Sequence, residues 1–149
     1  MTEALSAAVA ILARREHGAM ELAEKLFKKG FAADEVTQAI TKCQNLNLQS
    51  DQRYVASLLR VRIGQGYGPE RIRQECHFKK IDAVYYEQAL ETEGVDWLVC
   101  AQRVLDKKYK SCQPLTQLMQ QKQKQFLRYR GFSSQLIAEL FKMNEEMRS

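Results

Sequence analysis

Proline, glycine and histidine are scarce: this chain of 149 residues has two Pro, seven Gly and two His. Together with little strand-like alternation, the shortage of breakers argues for helices throughout. The four cysteines (Cys43, Cys76, Cys100, Cys112) include no pair at C-x-x-C spacing. Only His77 beside Cys76 suggests a metal corner, and adjacent helical side chains diverge by about 100°, a poor start for tetrahedral ligation. The thiols read as small apolar groups; neither a metal nor a disulfide framework is expected. The longest apolar stretch, near Ala7 to Ala13, falls far short of the roughly 20 residues that span a bilayer. No basic n-region precedes it, so no secretory signal is read, and a cytoplasmic protein without membrane contact is expected.

Hydrophobic residues make up 45% and charged residues 28%, which suits a globular chain rather than a disordered one. The net charge of +5 is unevenly placed. Residues 1–50 carry six basic and six acidic side chains, residues 51–100 seven and eight, and residues 101–149 ten and four. The middle third is itself divided. Seven basic residues lie between Arg53 and Lys80, and the charged residues from Asp82 to Asp96 are all acidic. Basic segments separated by an acidic one suit a polyanion, or a partner carrying both signs.

Apolar residues recur at spacings of three and four, as in Ala8, Ile11, Leu12, then Met20, Leu22, Ala23, Leu26, Phe27, then Val36, Ala39, Ile40. The chain is also self-similar. Leu26-Phe27-Lys28-Lys29-Gly30-Phe31 can be laid on Cys76-His77-Phe78-Lys79-Lys80-Ile81 and on Leu127-Arg128-Tyr129-Arg130-Gly131-Phe132. The hinge hydrophobes Phe31, Ile81 and Phe132 are 50 and 51 residues apart. Five positions beyond them stand Val36, Tyr86 and Ile137; nine beyond, Ile40, Leu90 and Phe141. Asp82 and Ser133 follow their hinges as helix N-caps. Breaks are expected near Gly18 and Gly30, near Gly66 and Lys80, and near Gln113-Pro114 and Gly131. The fold is therefore predicted to be all-α, with three tandem three-helix repeats (1–48, 49–94 and 95–149) and about nine helices. Repeats stacked in line would form an elongated, curved body.

Few residues offer chemistry. No Ser or Cys has a recognisable base and orienting acid, and no pair of carboxylates stands out as acid and base. The glycines from Gly64 to Gly68 lack the Lys-Ser/Thr of a phosphate loop and any preceding strand. An enzyme is not expected, nor a cofactor. Bases interleaved with rings remain. Lys107, Lys108 and Lys110 surround Tyr109, and Lys122, Lys124, Arg128 and Arg130 alternate with Phe126, Leu127 and Tyr129. In the middle third, Tyr54, Leu58 and Val61 are read as an apolar stripe. Most rings fall on apolar faces and are expected to pack inside. Contacts to nucleic acid would then be to backbone, salt-sensitive and weakly specific. The candidate partner- and DNA-binding surface is Arg60, Arg62, Arg71, Arg73, Lys79 and Lys80, with Lys107, Lys108, Lys110, Lys122, Lys124, Arg128 and Arg130.

Several motifs in fixed order carry a resemblance. They are Ile11-Leu12-Ala13-Arg14-Arg15-Glu16-His17 with Glu21-Leu22 and Lys25-Leu26; Gly66-Tyr67-Gly68-Pro69-Glu70-Arg71-Ile72-Arg73-Gln74-Glu75; Asp96-Trp97 leading to Lys108-Tyr109; and Phe126-Leu127 with Arg130-Gly131-Phe132. From about Leu5 to Lys142 the chain resembles RecX, the bacterial regulator of the RecA recombinase. Ser50-Asp51 replaces the family's usual Asp-Asp, and Lys80 stands where a Gly normally precedes the hinge, which suggests a tighter or differently capped turn. The resemblance implies three tandem three-helix units and a protein that is not an enzyme; a monomer is expected. It implies binding to RecA and to its filament on single-stranded DNA, restraining ATPase, strand exchange and LexA cleavage, and hence recombinational repair and the SOS response. The basic segments alone would equally suit a stand-alone helical nucleic-acid-binding protein.

Overall fold

The computed structural model describes residues 1–109 and 115–148, which form nine helices and, among the described residues, no strand. The helices are α1 (Glu3–Arg14), α2 (Ala19–Lys28), α3 (Ala33–Asn45), α4 (Asp51–Gly64), α5 (Pro69–Phe78), α6 (Ala83–Glu93), α7 (Trp97–Lys108), α8 (Gln117–Tyr129) and α9 (Ser134–Arg148). The breaks at Gly18, Gly30, Gly66, Lys80 and Gly131 fall between helices. The break expected at Gln113-Pro114 lies outside the described residues, as do Lys110 and Cys112.

The repeat is visible in hydrogen bonds. At each second-helix end the hinge amide reaches back five residues, from Phe31 to the carbonyl of Leu26, Ile81 to Cys76 and Phe132 to Leu127, at 3.4, 3.0 and 3.1 Å. The preceding residue bonds three back (Gly30 to Phe27, Lys80 to His77, Gly131 to Arg128), completing a Schellman cap that needs a left-handed residue. Gly30 and Gly131 supply it at φ of 96° and 103°. Lys80 adopts the same conformation at 56°, so the turn keeps the geometry of the other two repeats without a glycine. Asp82 and Ser133 accept from the Val84 and Leu136 amides as N-caps, whereas Ala32 has no acceptor and Glu35 instead reaches back to its amide. Ser50 Oγ takes the Arg53 amide at 3.2 Å and so caps α4.

By packing, the chain divides into two compact units, Met1–Leu58 with Cys76–Glu93, and Leu59–Glu75 with Gly94–Ser149. In the first, α1, α2 and α3 close on Ala4, Ala8, Leu22, Leu26, Val36, Ala39 and Cys43. In the second, α7, α8 and α9 close on Ala101, Leu105, Leu127, Phe132, Ile137 and Leu140. The equivalent positions Val36, Tyr86 and Ile137 are all buried, and Ile40, Leu90 and Phe141 are half-buried. The expected stripe on α4 holds at Tyr54 and Leu58 but not at Val61, which is 49% exposed. Leu58 and Leu59 take the inward positions at that level.

In the second unit, Gly68 and Gly131 bring two backbones into contact. The Gly68 amide donates to the Arg130 carbonyl at 2.7 Å, and the Glu70 amide to that of Gly131 at 2.8 Å. A Cβ on Gly68 would lie 2.7 Å from Gly131 backbone atoms; one on Gly131 would lie 2.6 Å from the Arg71 Cβ. The start of α5 is thereby fixed on the end of α8, which sets Tyr67 and Arg71 beside Arg130.

Candidate functional site

Arg71, Arg130 and Lys108 of the second unit converge there around two rings. The Arg71 guanidinium lies 4.1 Å from the centre of the Tyr67 ring, and that of Arg130 lies 5.4 Å from it. Arg130 also lies 5.1 Å from the Phe126 centroid, with the Lys108 ammonium at 5.0 Å from the same ring. Tyr109 meets Phe126 edge-on at 5.9 Å, and Arg130 Nη1 donates to the Gln65 carbonyl at 2.9 Å. Cation–π contact aligns these charges without neutralising them. Beside them is a concavity of about 320 Å³ whose charged lining residues are Arg103, Lys107, Lys108 and Arg130, above a floor that includes Ile63, Val104 and Phe126. No carboxylate lines it, so the site attracts anions.

The other expected residues are placed differently. Arg62 is half-buried and bidentate to Glu75, with Nε and Nη2 both at 2.8 Å, and also donates to Gln65 Oε1. Arg73 pairs with Glu70 at 3.2 Å on the surface. In the first unit, Lys79 donates to the Tyr54 hydroxyl at 2.6 Å, and Lys80 is exposed. Arg60, Lys122 and Arg128 are exposed. Lys124 lies over Phe141 at 5.2 Å and lines a concavity of mixed sign that includes Asp106 and Glu145. Lys110 lies outside the described residues.

The expectation that rings pack inside fails at Phe27, Phe78 and Tyr129, which are 50%, 87% and 76% exposed. Phe78 and Tyr129 end α5 and α8 two positions beyond the buried Cys76 and Leu127, which turns them outward.

Sequence reasoning also missed cations. Arg103 precedes Lys107 by four residues, a spacing that puts both on one helix face. In the first unit, whose sequence is charge-balanced over its first fifty residues, Arg14, Arg15, Lys25, Lys28 and Lys29 line a concavity of about 680 Å³ with no carboxylate in its wall. The Arg15-Glu16-His17 motif organises it. Arg15 is bidentate to Glu21 at 3.1 and 2.7 Å, and Glu16 takes the Arg53 Nε at 2.6 Å. His17 is buried, with Nδ1 3.0 Å from the Arg15 carbonyl and Nε2 2.7 Å from the Lys25 ammonium. Nδ1–H therefore donates and Nε2 accepts, the neutral tautomer. Burial lowers the imidazole pKa from 6.5, opposed by its bond to the Arg15 carbonyl and assisted by the Arg15 charge.

Burial pushes the Cys43 and Cys100 thiols up, away from the activated thiolate of a nucleophile. Among the described residues no three His, Cys, Asp or Glu side chains form a metal cluster, and no helix is long and apolar enough to cross a membrane.

Models of the first, second and third three-helix domains of RecX match residues 4–43, 50–90 and 96–141. The chain belongs to the RecX family. It is 44% identical over 142 residues to the regulatory protein RecX of Legionella pneumophila (strain Corby), covering 95% of both chains. To the RecX of Vibrio parahaemolyticus it is 36% identical over 140 residues, covering 94% and 90%. The crystal structure of RecX from Lactobacillus salivarius superposes with a TM-score of 0.74 at 24% identity, covering 95% and 94%, a likeness of fold. A second RecX crystal structure gives 0.77 at 25% identity, covering 94% of this chain and 72% of that one. The RecX motifs read from the sequence mostly prove to be fold-determining: His17, Gly68 and Gly131 are caps and contacts, and the cations gather around them.

Proposed function

We propose that this RecX-family chain binds RecA and the RecA filament on single-stranded DNA, and inhibits its recombinase, ATPase and coprotease activities. In that role it modulates recombinational DNA repair and the SOS response. The observation that carries the reading is the match of all three RecX domains along the chain. The protein acts as a monomer in the cytoplasm, where RecA meets DNA, with repeats 1–48, 49–94 and 95–149 as its units and no reaction of its own. A modulator shifts a filament only by binding one of its states better than another, here the inactive or shorter one.

Two carboxylate-free basic concavities support contact with DNA phosphates alongside RecA. In the second unit the contacts are Arg71, Lys107, Lys108 and Arg130 with Arg103, joined by Lys110, Lys122 and Arg128. Arg60, Lys79 and Lys80 extend the surface, while Arg62, Arg73 and Lys124 act mainly within the fold. The same concavities favour a second reading, a plain DNA-binding protein.

RecA-stimulated LexA cleavage on single-stranded DNA separates the two. Addition of the protein to a preformed filament is expected to slow cleavage. Unchanged cleavage at saturating protein, with DNA binding intact, would leave only the second reading.

A further inference from the structure

Phe27, Phe78 and Tyr129 follow one another at intervals of 51 residues. Phe78 and Tyr129 are the final residues of α5 and α8, and Phe27 is next to last in α2. Exposure of 87% and 76% at the two equivalent positions means that neither ring is a core residue, although the chain buries Tyr86 and Phe132 fully. Two repeats thus present a ring at the same corner, and the third presents one a single residue earlier. Each ring has cations for neighbours: Lys28 and Lys29 after Phe27, Lys79 and Lys80 after Phe78, and Arg128 and Arg130 on either side of Tyr129. No carboxylate lies within two residues of any of them.

We infer that Phe78 and Tyr129, with Phe27 as a third, are stacking platforms for the bases of single-stranded DNA, the adjoining cations holding its phosphates. An exposed ring beside positive charge is how proteins bind single strands without sequence preference, since every base has a π-face. Lysine is depleted in protein–protein interfaces, so Phe27 and Phe78, which lysines border, fit a nucleic acid better than an apolar protein pocket. The corners sit on rigid Schellman caps, which lowers the entropy lost on stacking.

The inference rests on the reading that the basic surface meets single-stranded DNA, and the test separates the two. Binding of labelled oligothymidylate and of an abasic oligomer with the same number of phosphates is measured by anisotropy at one salt concentration. The wild-type protein is expected to prefer oligothymidylate by tenfold or more, as stacking on aromatic side chains gives. The Phe78→Ala/Tyr129→Ala variant should lose that preference while its affinity for the abasic oligomer stays within twofold, and Phe78→Trp should keep it. Equal binding of both oligomers by the wild type, or a preference surviving in the double variant, would overturn the stacking. Loss of LexA-cleavage inhibition in the double variant with its oligothymidylate binding unchanged would also overturn it, assigning the rings to a protein partner. Failure of both oligomers to bind would instead remove the DNA reading beneath it.

Discussion

The amide of Gly68 donates to the carbonyl of Arg130 across 2.7 Å, and no side chain fits between them. That contact puts the Tyr67 ring within reach of both Arg71 and Arg130. Gly68→Ala is expected to cost about 1–3 kcal/mol, because the intruding methyl meets backbone rather than a flexible side chain. Urea unfolding checks it.

Lys80 holds a left-handed conformation at φ 56°, at the position where the other two repeats use glycine. Such a conformation costs an L-residue roughly 1–2 kcal/mol, partly offset by glycine's larger unfolded entropy. Lys80→Gly should therefore stabilise the protein by about 0.5–1 kcal/mol, seen as a higher thermal midpoint.

Buried His17 takes up a proton less readily when folded than at its unfolded value of 6.5. Between the two values the unfolded chain binds more protons, so stability is fully present above pH 6.5 and falls as the pH drops below it. The slope is at most about 1.4 kcal/mol per pH unit for one group. Protonation would also set an imidazolium against Lys25 and remove the acceptor that holds it. Glu21 adds a second loss at lower pH: burial disfavours its carboxylate, but the Arg15 bonds outweigh this and lower its pKa from 4.5. His17→Gln should flatten the dependence between pH 7.5 and 5.5 in urea titrations.

Charge removal should sort site from scaffold. Replacing Arg103, Lys107 and Lys108 with Gln should lower the log–log salt slope of single-strand binding by about 2, at about 0.7 for each phosphate that is no longer neutralised. Arg62→Gln should leave the slope unchanged and cost about 1–2 kcal/mol of stability, since Glu75 loses a bidentate partner. Salt titrations and urea unfolding of the same proteins report both.

Helices and repeat corners were legible because their signals are local. Gly30, Gly131, Asp82 and Ser133 act on backbone groups within a few residues, and the apolar offsets after each hinge repeat. Lys80 showed that a missing glycine need not change a turn. The site was less legible because it is assembled from distant segments. Nothing near Tyr67 in the chain announces Arg130, and the balanced charge of residues 1–50 hides a concavity whose cations share one wall. Arg62 looked like its basic neighbours until Glu75 was found facing it. The rings were expected on apolar faces, but Tyr129 and Phe78 stand two positions beyond the buried Leu127 and Cys76, which carries them round to the other side.

The most direct test of the central claim is ATP hydrolysis by RecA on single-stranded DNA, with the protein titrated in at fixed salt. Inhibition is expected well below one molecule per RecA subunit, because a regulator that shifts a filament's state acts on many subunits at once. Hydrolysis unchanged at an excess of protein, with a competent cognate RecA, would contradict the account and leave the basic concavities as a DNA-binding face alone.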